Sequence, residues 1–183
     1  MKKNILIGVG VVFLLFVIWV VYGLFIATPA SPPTTSTYSE GGLEITVDYS
    51  QPSKKGRLIF GEEADDALQP YGKYWRLGAN AATEITFNKD VTFGGKPVKA
   101  GSYSMYAVPG ANAFKVTLNS ETNIFFGIAE PDHELDVVIV EAPVEQTATV
   151  VETFNIAIES LGQGAVINFK WDETVFTVPV ALQ

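Results

Sequence analysis

Residues 70–88, PYGKYWRLGANAATEITFN, gather two tyrosines, a tryptophan, an arginine and a lysine with two glycines, two asparagines and a glutamate. Arg76 carries a planar donor fork suited to a carboxylate or a phosphate. Asn80 can donate and accept at once. Glu84 can take Arg76 or a loop amide as its partner. Two uses fit this set. One is a polar staple, in which Arg76, Asn80 and Glu84 satisfy the backbone of a loop that crosses the end of a sheet. The other is a recognition loop floored by Tyr71, Tyr74 and Trp75. Gly78 suits a position needing positive φ in either case. Among these residues Glu84 is the catalytic candidate, as a carboxylate working with Arg76 as an electrostatic clamp. A glycosidase would need a second carboxylate across a cleft, and Asp48 could supply it only if folding brings the two together.

Other constellations are thin. His133 is the only histidine and cysteine is absent, so a thiolate zinc site and a disulfide are both excluded and no metal or cofactor is expected. His133 lies among acids in Glu130-Pro131-Asp132-His133-Glu134 and reads as a solvated loop residue. Glu62, Glu63, Asp65 and Asp66 lack the spacing of a calcium loop. No G-x-S-x-G occurs, and the Gly-Lys pairs at 72–73 and 95–96 lack the rest of a phosphate-binding loop.

These residues must be positioned by an exported β domain. Residues 5–26 form an uncharged apolar run of 22 residues. As a helix the run spans about 33 Å, enough for a bilayer core. It is longer than the apolar core of a cleavable signal peptide, and Ala27-Thr28-Pro29-Ala30 is a poor cleavage site. The expectation is an uncleaved single-pass transmembrane helix. Lys2 and Lys3 precede it, which keeps residues 1–4 in the cytoplasm and exports the rest. The domain is then extracytoplasmic, and periplasmic if the cell is Gram-negative. Residues 27–42, rich in Pro, Ser and Thr, read as a linker.

Residues 43–183 read as all-β, an antiparallel sandwich or partly closed barrel of about ten strands. Period-two alternation marks residues 43–49, 83–87, 114–118 and 150–159. Gly94-Gly95 signals a hairpin whose second arm, with Pro97, belongs at an edge. Short strands are expected at 57–60 and 135–141, with a break at 143–147 and a final hairpin turning on Asp172-Glu173. The exported part carries a net charge of −10. From residue 116 onward it has eleven acidic residues and one basic residue, Lys170, so nucleic acid is not an expected partner.

Four blocks carry a resemblance: SQPSKKGRLIFG (50–61), PYGKYWRLGAN (70–80), ATEITF (82–87) and GKPVKAGSYS (95–104). In that order they resemble the DUF2911 family of exported bacterial proteins, typical of Bacteroidetes, over about residues 43–180. The resemblance implies export, an all-β domain and importance for Arg57, Trp75, Arg76, Gly78, Asn80 and Glu84. It implies no reaction. The family pattern has a Trp-Gly pair where this chain has Phe126-Gly127.

The functional expectation is a membrane-anchored binding or envelope-interaction module that takes a glycan, a peptide or another envelope protein through Arg57, Tyr71, Trp75, Arg76, Asn80 and Glu84. The alternatives are the Glu84 hydrolase and a purely structural domain.

Overall fold

The computed structural model of the chain describes residues 2–25, 30–124 and 129–183. They fall into two units, residues 1–30 and 31–183. The first holds α1, Lys2–Phe25. Side chains are described for residues 8–23 of this helix, and its large apolar groups there are mostly exposed, Trp19 by 70%. Among the described residues no helix is long and apolar enough to cross a membrane. The described side chains cover 16 residues, about 24 Å of helix, so a transmembrane span is not shown.

The second unit is built on one open, nine-stranded antiparallel sheet in the order β1-β2-β5-β8-β9-β10-β11-β6-β7. The strands are β1 (Pro33–Glu40), β2 (Leu43–Ser50), β5 (Thr83–Phe87), β6 (Val91–Phe93), β7 (Lys96–Val98), β8 (Gly101–Val108), β9 (Ala113–Asn119), β10 (Asp136–Leu161) and β11 (Gly164–Leu182). A separate parallel pair joins β3 (Phe60–Gly61) to β4 (Gln69–Pro70). In β2 the alternation does what period two requires: Leu43, Ile45 and Val47 are buried while Glu44 and Asp48 face water.

β10 makes the sheet sandwich-like. Its first part pairs with β9 as far as Pro143↔Ala113, and from Val144 onward it pairs with β11. Pro143 therefore stands where one partner ends and the next begins, a place where a strand can lack a donor. The expected break at 143–147 is instead a change of partner within one strand. The expected hairpin at Asp172-Glu173 is likewise an irregularity inside β11: Asp172 takes a left-handed φ of 56°, and the β10–β11 register shifts between Gln146 and Val151, opposite Thr174 and Asp172. The turn between β10 and β11 lies at Gly162, with φ of 60°, where Gly162 and Gly164 mark a turn in the sequence.

Two further expectations are corrected. Residues 33–40 belong to the sheet as β1, because Thr and Ser pair with β2 along its whole length, so the linker is shorter than 27–42. Arg57, Leu58 and Ile59 lie outside any strand, since Lys55 and Gly56 turn left-handed (φ 50° and 72°) and Arg57 N–H closes on Lys54 C=O at 3.1 Å. Pro97 sits on the terminal strand β7, as an edge proline should.

The β1 side is tied to β10 and to the start of β11 by side chains. The Tyr49 hydroxyl accepts from Ile156 N–H at 3.0 Å and donates to Ile156 C=O at 3.3 Å, and Tyr38 donates to Gly164 C=O at 3.0 Å. Between the layers lies an aromatic cluster. Trp75 stacks on Trp171 at 5.8 Å and meets Phe154 edge-on at 5.0 Å, while Phe60 packs against Trp75, Phe114 and Trp171. Such pairs add about 0.5–1.5 kcal/mol each beyond the area they bury.

Candidate functional site

Two members of the aromatic cluster, Trp75 and Trp171, line a recess of about 300 Å³. Its walls come from distant parts of the chain: Ser31, Pro52 and Arg57, then Leu68 and Gln69, then residues 74–76 and 78–80, and Trp171. Two turns place the charged groups. Residues 52–54 lie along β10, with Phe154 N–H donating to Pro52 C=O and Lys54 N–H to Glu152 C=O. Lys54 also makes an ion pair with Asp172. From this fixed turn Arg57 folds back and donates Nε–H to Lys54 C=O at 2.9 Å and Nη2–H to Ser53 C=O at 2.6 Å.

The second turn begins at Trp75, whose N–H and C=O both pair with Ala107 at 2.8 Å. Leu77 and Asn80 take left-handed φ of 51° and 62°. The buried Thr83 hydroxyl holds Leu77 C=O at 2.7 Å. Gly78 is pressed so close to the chain that a Cβ there would come within 2.9 Å of Ser50 C=O. Arg76 Nη1 donates to Asn80 C=O at 2.9 Å, and Asn80 Nδ2 donates to Ser31 C=O at 3.0 Å.

The structure therefore brings Arg57, Trp75, Arg76 and Asn80 to one recess and leaves Tyr71 and Glu84 out of it. Trp75 is only 2% exposed; it is a core residue met through the recess, not a surface platform. Tyr71 serves the β3–β4 region through its N–H, which donates to Gly61 C=O at 2.9 Å. Tyr74 does line the recess. Burial pushes its phenol above the usual range, while the nearby Arg76 charge pulls the other way and Glu130 adds to the rise.

Glu84 faces a second, larger recess of about 700 Å³, lined also by Asp48, Tyr49, Ala82 and Ile124. Its carboxylate accepts from Asn123 N–H and makes no salt bridge with Arg76. Asp48 is its direct cross-strand partner. The same register continues across six strands as Thr35, Asp48, Glu84, Ser104, Asn119 and Asp136. This polar row faces away from the aromatic core. Residues 121–123, which follow β9, bond to Asn119 and Glu84 of this row, and Ser104 and Asn119 are buried.

The profile of the DUF2911 family, described as a protein of unknown function, matches residues 31–180. The chain belongs to DUF2911. No curated protein and no solved structure matches it. The DUF2911 domain starts at residue 31, ahead of β1, so the strand hidden in the Pro/Ser/Thr-rich segment is part of the family's domain. Phe126-Gly127 lies outside the described residues.

Sequence reasoning missed two parts of this DUF2911 domain. Trp171, about a hundred residues from Trp75, completes the recess floor; only its alternation with Phe169 marked it as inward-facing. His133 is exposed, as a solvated loop residue should be, but it has partners that the sequence did not show. The Tyr106 hydroxyl donates to Asp136 Oδ2 at 2.8 Å and lies 2.9 Å from His133 Nδ1, while His133 Nε2 is 3.3 Å from Glu130. Asn119 Nδ2 holds the other Asp136 oxygen at 2.9 Å. Glu130 and Asp136 raise the imidazole above its ordinary range, and burial with Asp136 raises the Tyr106 phenol. Among the described residues no group of three or more His, Asp or Glu could hold a metal ion.

Proposed function

We propose that the protein is a membrane-anchored, extracytoplasmic binding module, with its ligand held in the recess between the 52–57 turn and the 74–80 loop. The observation that carries this reading is a preorganised recess with unused donors. Arg57 uses two of its guanidinium N–H groups and Arg76 uses one, and both side chains are fixed by backbone carbonyls. A guanidinium has five such groups. Fixing them in advance lowers the ordering cost of binding. The ligand classes that suit a site of this size are a glycan fragment, a short peptide or a segment of an envelope protein.

The anchor rests on the uncharged run of residues 5–26 behind Lys2 and Lys3. The exposed apolar surface of α1 supports it, since a helix apolar all round has no stable place in water. Alkaline extraction tests this: an anchored chain stays with the membrane pellet, and release into the supernatant would refute it.

The binding reading is tested on the full chain in detergent, by thermal shift against envelope glycan fragments and peptides. Arg76→Ala should abolish the shift while leaving the melting temperature of the free protein within a few degrees. If the variant unfolds, the loop is a staple and no binding site need be invoked.

A hydrolase is the second reading. It is favoured by the pairing of Asp48 with Glu84 beside the larger recess, with Arg76 playing no part. Turnover abolished by Glu84→Gln at unchanged stability would support it.

A further inference from the structure

The chain has two arginines in 183 residues, Arg57 and Arg76, and both line the same 300 Å³ recess. Neither makes a salt bridge among the described residues, although the chain holds 20 acidic residues and has a net charge of −8. Asp172, close to the recess, pairs with Lys54. Glu130, whose field reaches Tyr74, is met by His133 at 3.3 Å. Glu84, the acid nearest to Arg76 in sequence, faces the other recess. A loop staple needs only donors, which glutamine or lysine would supply. It does not need two guanidinium groups on one recess, neither of them within salt-bridge distance of a described carboxylate. Like charges placed together without a counter-ion repel, and that arrangement is relieved when an anion enters.

We infer that this recess takes an oxyanion, a carboxylate or phosphate group, bridged by Arg57 and Arg76 with the Tyr74 hydroxyl beside them. The inference rests on the binding reading above and adds the chemical class of the ligand. Three N–H groups on Arg57 and four on Arg76 have no acceptor among the described residues, enough for two charge-assisted pairs. Gln69 and Asn80 supply polar rim groups, and the Trp75–Trp171 stack supplies an apolar floor for whatever carries the anion. The anion could come from a free solute or from an acidic lipid headgroup, and the test separates the two.

With two arginines, the full chain in nanodiscs gives two arginine side-chain Nε–Hε resonances, a direct readout of the site. The probes are inorganic phosphate, succinate, its uncharged analogue succinamide, and nanodiscs of phosphatidylglycerol against phosphatidylcholine. Both resonances should move together and saturate with one midpoint. Phosphate or succinate acting in phosphatidylcholine discs identifies a free anion. A shift seen only on changing to phosphatidylglycerol identifies a headgroup. Arg57→Gln and Arg76→Gln should each weaken the midpoint at least tenfold, and Arg76→Lys, which keeps the charge but loses the fork, severalfold. Melting temperatures of the free variants separate lost binding from lost fold.

Succinamide acting as well as succinate, unsaturated drift, or movement of one resonance alone would overturn the inference. If no anion acts while an uncharged glycan or peptide still stabilises the chain and Arg76→Ala removes that effect, the oxyanion inference fails and the binding reading stands. If nothing stabilises the chain, both fail.

Discussion

Tyr49→Phe isolates the contact that ties the two layers of the sheet on the β1 side. Tyr49 is 5% exposed and Ile156 is 1% exposed. Ile156 pairs with Phe169 of β11, but its own N–H and C=O turn to the other side, toward β2. The C=O has two donors, Tyr49 and Ser36. The N–H has one acceptor, the Tyr49 hydroxyl at 3.0 Å. Phenylalanine keeps the ring and its edge-on packing against Phe154, so almost no volume is lost. What remains is a buried N–H without a partner, which costs about 1–3 kcal/mol. A domain of this size loses roughly 2–4 °C per kcal/mol, so the melting temperature should fall by about 2–12 °C. Urea denaturation should give a lower midpoint at unchanged m-value, because the surface exposed on unfolding is the same. Ser36→Ala should cost less, since Tyr49 still serves the C=O. A melting temperature within about 1 °C of the parent would refute the argument that this hydroxyl, and not β1 pairing alone, holds β10 in place.

Three further outcomes follow from local geometry. Gly94→Ala should destabilise by about 1–3 kcal/mol, because φ is +57° and the new Cβ would lie 2.7 Å from Val140 Cγ1; adding Val140→Ala should recover part of the loss, and strict additivity in a denaturation cycle would contradict the clash. The folded pKa of His133 is raised above the unfolded value, so its contribution is complete below about pH 6.5 and is lost as pH rises through the folded pKa. An NMR titration of this single histidine should give a midpoint above 6.5, with faster amide exchange in residues 130–136 above it; a midpoint at or below 6.5 rejects the ion pairs with Glu130 and Asp136. Glu84→Gln keeps an acceptor for Asn123 N–H and removes a like charge opposite Asp48. It should be neutral or stabilising by about 0.2–1 kcal/mol, and a clear loss of stability would show that the charge itself is needed.

What could be read from the chain divides by range. Short alternating runs such as Leu43 to Val47 identify their own strands, because period two depends only on neighbours. β10 and β11 were misread because Pro143 and Asp172-Glu173 break local rules, and only their partners, β9 ending at Ala113 and the shifted register near Val151, make those residues acceptable. β1 carried no apolar face to mark it; its Thr and Ser side chains are held by Asp48 and by Ile156 C=O, both distant in sequence. At the site, Arg57 and Arg76 stood out by residue type, yet their convergence depends on two left-handed turns and on β10 holding the first of them. Trp171 carried only its alternation with Phe169, and nothing local joined Tyr106 to His133 and Asp136.

The same long-range order decides which partner Arg76 can have. Glu84 lies eight positions further along the chain, and local reasoning offered it either Arg76 or a loop amide as partner. The fold prevents the pair with Arg76 by a ridge of three chain segments, 31–33, 50–52 and 80–81, tied by Asn80 Nδ2 to Ser31 C=O and by Gln51 N–H to Pro32 C=O. The arginine recess lies on one side of the ridge and the Asp48–Glu84 recess on the other. Glu84 takes a backbone amide, Arg76 takes a backbone carbonyl, and each charge is left facing its own recess. A carboxylate that already neutralised Arg76 would compete with any anion that entered. Keeping Glu84 across the ridge is what leaves the guanidinium free to bind one.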